Sequence, residues 1–293
     1  MSQYQAGILS DETPLARYLT FLLKPGAAPG VVLQRLGEHI DGSAEVLGLG
    51  EPLLQQLGVK IDGMRAFTAH TGPGISVPAT PTALWLWLRG DDRGELLHRS
   101  RKLVALLADA FELEHATDAF QYRGNRDLTG YEDGTENPEG DDAIEAAFVT
   151  GQGPGLDGSS FVAVQQWVHD LDRFQAMPQV QQDHTFGRRI SDNEEIDDAP
   201  LSAHVKRTAQ EDFDPEAFVL RRSMPWSDSE RSGLVFVAFG HSFDAFEALL
   251  HRMVGKDDGI IDALFSFTHP VTGCYFWCPP VSGDDIDLSA IGL

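Results

Sequence analysis

The sequence predicts an α+β protein built from two copies of a β-α-β-β-α-β unit with antiparallel sheets. Three observations lead there. A strand, a Gly-polar break and an amphipathic helix occur late in each half, a shorter strand and helix precede them in each half, and 293 residues exceed the usual size of one core.

Tyr18 to Leu23 reads as a strand, and Val32, Leu33, Leu36 and Ile40 recur at helical spacing behind Pro29, which suits a first helical turn. Thr82 to Arg89 is a strong strand ended by Gly90-Asp91-Asp92. The next helix carries Leu96, Leu97, Leu103, Val104, Leu107 and Phe111. In the second half, Phe161 to Val168 is a strand followed by Asp170-Leu171-Asp172 and a short helix. Leu234 to Phe239 is a strand ended by Gly240, with Phe243, Phe246, Leu249, Leu250 and Val254 on one helical face behind it. Residues 123–158 are dense in Gly, Asp, Asn and Pro and lack periodicity, so chemistry is sought in that loop. The natural division is 1–140 and 141–293.

Twenty-two basic against 45 acidic residues give a net charge of −23, which repels nucleic acid and anionic lipid. No apolar run approaches the roughly 20 residues of a membrane span, and Met1 to Gly7 carries no export signal, so a cytoplasmic protein is expected. The two cysteines, Cys274 and Cys278, fall four apart in an apparent strand, roughly 13 Å from each other at strand rise, and cannot bridge there.

Several motif matches are set aside on context. Gly153-Pro154-Gly155-Leu156-Asp157-Gly158 has the letters of a dinucleotide loop, but a strand follows it, leaving no helix N-terminus for a pyrophosphate. Asn125, Asp127, Thr129, Gly130 and Glu136 sit at calcium-loop positions, yet Asn137-Pro138 blocks the exit helix. The acidic stretch Asp192 to Asp198 reads as a solvated loop rather than a metal site. Cys278 beside Pro279 reads as core rather than as a thiolate ligand to a metal. Any of the ten histidines could be a lone metal ligand, and spacing does not choose among them.

The loop contains Gly130-Tyr131-Glu132-Asp133-Gly134-Thr135-Glu136-Asn137-Pro138. It resembles the G-x-x-D-G signature of dye-decolourising peroxidases in its longer D-G-T-E-N-P form. Four further pieces follow in that family's order: Phe186-Gly187-Arg188, Ser202 to Arg207, Leu220 to Pro225, and Asp262 to Gly273. Taken singly, Asp133 is a turn residue, Arg221 and Arg222 are surface charges and His204 is a surface histidine; the ordered set carries the functional reading.

The resemblance implies two ferredoxin-like halves with haem b (iron protoporphyrin IX) between sheet and helices, held mainly by the second half. It implies His204 as the proximal iron ligand with Asp262 as its hydrogen-bond partner. Asp133 matches the distal acid–base residue and Arg221 the distal arginine, with Arg222 one place away as the alternative. Ser223 and Phe236 match members of the distal pocket, and Arg188 the arginine that pairs with a haem propionate. The implied reaction is reduction of hydrogen peroxide and oxidation of dyes, phenols or porphyrin-type donors through a ferryl intermediate. Trp226, Tyr131 or Trp277 would relay electrons from bulky donors.

The rival reading is a haem-handling protein with incidental turnover. The partners implied are peroxide and a reducing organic substrate, in a homo-oligomer. The tail Asp287 to Leu293 resembles the peptides that load some family members into encapsulin shells, or is a frayed terminus.

Overall fold

The computed structural model describes residues 3–72 and 74–293. The first half runs β1 (Leu15–Leu23), α1 (Gly30–Gly37), β2 (Glu45–Gly50), α2 (Glu51–Leu57), the hairpin β3 (His70–Gly72) and β4 (Ile75–Val77), β5 (Leu84–Gly90), α3 (Arg93–Leu107) and β6 (Phe111–Phe120). The second half begins with α4 (Gly140–Ala147), β7 (Ser160–His169), α5 (Leu171–Gln175), α6 (Gln179–Phe186) and α7 (His204–Arg207). It continues through β8 (Leu220–Arg221), β9 (Met224–Ser227), β10 (Ser232–Gly240), α8 (Asp244–Met253), β11 (Thr268–Pro270) and β12 (Cys274–Cys278), and ends with the hairpin β13 (Val281–Ser282) and β14 (Asp285–Ile286).

Local chemistry explains the element boundaries. The continuous apolar run of β5 is buried on both faces, as a central strand requires. Asp92 caps α3 by accepting the Glu95 amide, and Asp170 caps α5 by accepting that of Arg173. Phe246, Leu249 and Leu250 of α8 are buried, so its apolar stripe faces the sheet.

All major strands join one antiparallel sheet, in the order β11-β7-β12-β2-β5-β1-β6-β9-β10-β8, and β10 also pairs with β7. That last pairing closes a ring of eight strands, β7-β12-β2-β5-β1-β6-β9-β10. Within the ring the first half contributes β6-β1-β5-β2 and the second β12-β7-β10-β9, while β8 and β11 pair outside it. Alternation along each strand splits the side chains into two sets. One set, including Tyr18, Trp85, Trp87, Val237, Phe239 and Phe276, packs into a single cluster lining the ring. The other, including Leu19, Phe21, Leu47, Leu86, Phe161 and Trp277, packs against the helices.

The sequence reading needs correction in three places. Phe111 does not extend the α3 face; it opens β6, where it pairs with Leu23. The segment 123–158 is not irregular throughout, because Ala143, Ala146 and Ala147 bury one face of α4. The tail is not frayed: Ser289–Ile291 forms a 3-10 turn, with Leu288 and Ile291 only 5% and 3% exposed against the helix-side core. Cys274 and Cys278 are buried free thiols in β12, and burial pushes both thiols up in pKa, Cys274 to about 11. Among the described residues, no helix is long and apolar enough to cross a membrane.

Candidate active site

The helix-side face of β7 and β10 forms one wall of a cavity of about 410 Å³, within the range of small-molecule and cofactor pockets. Trp167 and Phe236 supply that wall, and Phe246, Leu249 and Met253 of α8 supply another. The loop between the halves closes a third side with Asp127, Tyr131 and Asp133. The cavity thus lies between sheet and helices, and both the loop motif and the second half reach it.

His204 opens α7 and lines this cavity. Its position is set by Gly187, which ends α6 at φ +84°; a Cβ there would stand 2.3 Å from Val205 Cγ1 and 3.1 Å from Ala203 Cβ. Only glycine lets α6 lie this close to α7. From the other side, Arg207 anchors α7 by donating to Asp258 and to the Arg252 carbonyl, and Ala263 N–H donates to the Ser202 carbonyl.

His204 Nδ1 lies 2.7 Å from Asp262 Oδ2, and the Asp262 side chain is fully buried. Asp262 Oδ1 meanwhile accepts the Leu264 amide at 2.9 Å. A carboxylate can only accept, so Nδ1 carries a proton, and in the neutral ring Nε2 is the nitrogen with the lone pair.

Asp133 and Arg221 meet on the same cavity, Oδ1 to Nη1 at 3.5 Å, each about one-fifth exposed (24% and 19%). Arg221 Nε is buried without a protein partner. Arg222 is excluded from this role by its contacts: Nε and Nη2 donate to the Ile8 and Leu9 carbonyls, and Nη1 meets Glu12 at 3.3 Å. Arg221 ends β8 and Arg222 follows it, and their contacts send one arginine into the cavity and the other to the N-terminal segment.

Arg188 also lines the cavity, held by Glu136 at 2.6 Å and by the Asn193 carbonyl. Phe236 lies on the wall. Ser223 does not reach the main cavity. It borders a pocket of about 20 Å³, shared with Asp133 and Arg221 and large enough for about one water. Its Oγ accepts the Val237 amide at 3.3 Å. Asp262 sits behind His204 rather than on the cavity.

Sequence reasoning passed over two features. Asn137, to which the sequence assigns no contact of its own, clamps the Arg221 backbone from both sides, and Gln210 bridges the Glu136 carbonyl to the Val219 amide. Asp127, His169 and Thr268 line the cavity as a connected set. In the sequence Asp127 stands out only at a calcium-loop position, and His169 carries no motif.

The family model for the C-terminal part of Dyp-type peroxidases matches residues 124–283, more than half of the chain. The chain belongs to the Dyp-type peroxidase family. A dye-decolorizing peroxidase from Rhodococcus erythropolis is 30% identical to it over 93% of this chain and 85% of the relative. Another, from Mycobacterium tuberculosis, is 29% identical over 94% and 88%. Among solved structures, the encapsulated DyP-type peroxidase of Mycobacterium smegmatis superposes with a TM-score of 0.85 at 26% identity, covering 95% of this chain and 96% of that one. A dye-decolorizing protein from V. cholerae gives 0.83 at 27%, covering 94% and 96%. The chain is accordingly a haem peroxidase, and haem is its cofactor.

The residues present fit that group. The cavity offers apolar side chains for a flat macrocycle, one imidazole with a free Nε2, and an arginine whose buried Nε has no protein partner.

Proposed function

We propose that His204 is the axial ligand of haem b, that Asp133 and Arg221 carry out the peroxide chemistry, and that Asp262, Arg188, Ser223 and Phe236 complete the site. The observation that carries this reading is the single cavity onto which a tautomer-fixed His204 and the Asp133–Arg221 pair both open. Bound haem supplies the redox-active iron at which peroxide is reduced and from which a donor is then oxidised.

Asp133 removes a proton from one peroxide oxygen and returns it to the departing one as water forms. Such proton transfer contributes about 100- to 10,000-fold. Arg221 holds a fixed positive charge on the same cavity, favouring the hydroperoxide anion and the charge separation of O–O cleavage. Asp262 keeps the His204 proton on Nδ1 and raises the basicity of Nε2. Ser223, with its Oγ already accepting from Val237, has its hydroxyl proton free to hold a water in the small pocket behind Asp133 and Arg221. Arg188 offers the cavity a cation for a propionate.

The halves 1–140 and 141–293 are read as ferredoxin-like duplicates, supported by the equivalent strand orders β6-β1-β5-β2 and β12-β7-β10-β9. The donors are dyes, phenols or porphyrin-type molecules, and those too large for the cavity pass electrons through the protein. Of the aromatic residues suggested by the sequence, Trp226 is best supported. Its indole N–H donates to the carbonyl of cavity-lining Trp167, and the half-exposed Arg231 covers its ring at 5.6 Å. Trp277 lies in the helix-side core, and Tyr131 is buried against Phe186. A cytoplasmic homo-oligomer belongs to the same proposal. Loading into an encapsulin shell is supported by the encapsulated relative alone, because the apolar residues of this tail pack on their own core.

Steady-state peroxide consumption by Asp133→Asn and Arg221→Ala with haem retained tests the reading. Loss of turnover supports it. Intact turnover would favour a haem-handling protein instead.

A further inference from the structure

Three side chains with no role in the scheme above form a buried relay along the cavity wall. Thr268 Oγ1 lies 3.0 Å from the Val168 carbonyl and 2.7 Å from His169 Nδ1; a hydroxyl that donates to the carbonyl accepts from Nδ1. On the other side of the ring, His169 Nε2 lies 2.9 Å from Asp127 Oδ2. Asp127 Oδ1 accepts both the amide and the hydroxyl of Thr129, at 2.8 and 2.6 Å. Burial pushes the Asp127 carboxyl up, but the bonds and charge of His169 and the two Thr129 bonds outweigh it and leave its pKa below the ordinary value. With Thr268 donating to Val168, both ring nitrogens face acceptors, the geometry of an imidazolium–carboxylate pair, and the two side chains are only 5% and 12% exposed.

This ion pair is attached to the loop that carries Asp133. Asp127 N–H donates to the Tyr131 carbonyl, Gly130 N–H to the Asp127 carbonyl and Asp133 N–H to the Asn125 carbonyl, at 2.9, 2.8 and 2.7 Å. Arg126 pairs with Glu132 across the same loop. The loop is thus closed on itself, and displacement at Asp127 carries over to Asp133. His169 and Thr268 face each other in register where β7 meets β11, so the anchor is the sheet.

We propose that the Asp127–His169 ion pair, seated on Thr268, is the positioning element that holds Asp133 at its working distance from Arg221. His169 touches neither peroxide nor the Asp133 carboxylate in this scheme; it acts through the loop. The inference rests on the acid–base assignment of Asp133.

The test has a part that needs no turnover. In the haem-free full chain at neutral pH, nitrogen NMR of His169 is expected to find both ring nitrogens protonated, and a neutral ring with one proton overturns the ion pair. Hydrogen exchange on the same chain is expected to deprotect the Asp133 amide in His169→Gln while the amides of β7 and β10 keep their protection. Unchanged protection at Asp133 overturns the positioning role. In the haem-loaded enzyme, His169→Gln is expected to slow peroxide consumption by about 10- to 100-fold, the scale of a misplaced catalytic group. In an Asp133→Asn background it should add no further slowing. Thr268→Val, nearly isosteric, keeps the ion pair while removing its seat and should give a smaller effect with the same non-additivity.

Two failures are distinguishable. If Asp133→Asn alone leaves consumption intact, the assignment of Asp133 falls and the inference with it. If Asp133→Asn slows the reaction and His169→Gln multiplies that slowing by its own full factor, the assignment stands and the positioning role is overturned.

Discussion

Asn137 grips the backbone of Arg221 with both ends of its amide: Oδ1 accepts the Arg221 N–H at 2.8 Å, and Nδ2 donates to the Arg221 carbonyl at 3.0 Å. The loop that brings Asp133 to the cavity is thereby fastened to the strand that brings Arg221. The backbone positions from which the two side chains reach each other are thereby tied together, and their tips stand 3.5 Å apart.

Asn137→Ala should therefore act on chemistry as well as stability. Leaving the part-buried Arg221 amide unpaired costs about 1–3 kcal/mol, while the carbonyl keeps a donor in Arg222 Nη1 at 3.3 Å. The loosened pair should slow the reaction with peroxide by about 10- to 100-fold. Stopped-flow peroxide kinetics beside a urea titration check both, and Asn137→Asp should do no better, because its second oxygen would face the Arg221 carbonyl.

Gly187→Ala places a methyl group on Val205 in a backbone conformation only glycine adopts freely. The backbone alone contributes roughly 1–2 kcal/mol of destabilisation. The larger expected effect is displacement of α7 and His204, read as weaker haem retention against the wild type.

Asp262→Asn keeps the shape of the His204 partner and removes its charge. Haem affinity or activity should fall by about 10- to 100-fold, as for other partners of ligating histidines. A fall in haem affinity separates this from a fault in proton transfer, which should leave binding unchanged.

His70 gives a pH dependence whose direction follows from its surroundings. Burial first, then the charge of Lys256 and the neighbouring His251, push its pKa down to about 4, and Lys256 Nζ donates to His70 Nδ1 at 2.6 Å. In the unfolded chain the imidazole titrates near 6.5. Between those values the unfolded state binds more protons, so stability falls as pH drops from about 6.5 toward 4. Urea midpoints across that window should fall less steeply in His70→Gln than in the wild type.

How far the sequence could be read depended on the kind of signal. Strands such as β5 and helices such as α8 were legible because periodicity reports burial directly. Phe111 misled because an apolar residue just past a helix looks like one more turn of it, although it opens the next strand. Asp133, His204 and Arg221 stand out only as an ordered set, and nothing in the local sequence separates Arg221 from Arg222; their contacts in the fold do. Asn137 lay inside the recognised motif, yet its function depends on a partner 84 residues away. His169 was invisible for the same reason, since its meaning comes from Asp127 and Thr268 in two other segments.

The tail gives a further check. Leu288 and Ile291 are buried in the helix-side core, and each such side chain contributes about 1.5–3 kcal/mol. Truncation before Asp287 should lower the melting temperature clearly. An unchanged melting temperature would mean that the tail is free to be presented elsewhere.

The most direct test of the central claim is the absorbance spectrum of the haem-loaded chain before and after one equivalent of hydrogen peroxide, in wild type and in His204→Ala. The account predicts a histidine-ligated ferric spectrum that changes on peroxide addition in the wild type and is lost or altered in the variant. Haem uptake and a peroxide response indifferent to His204 would contradict it.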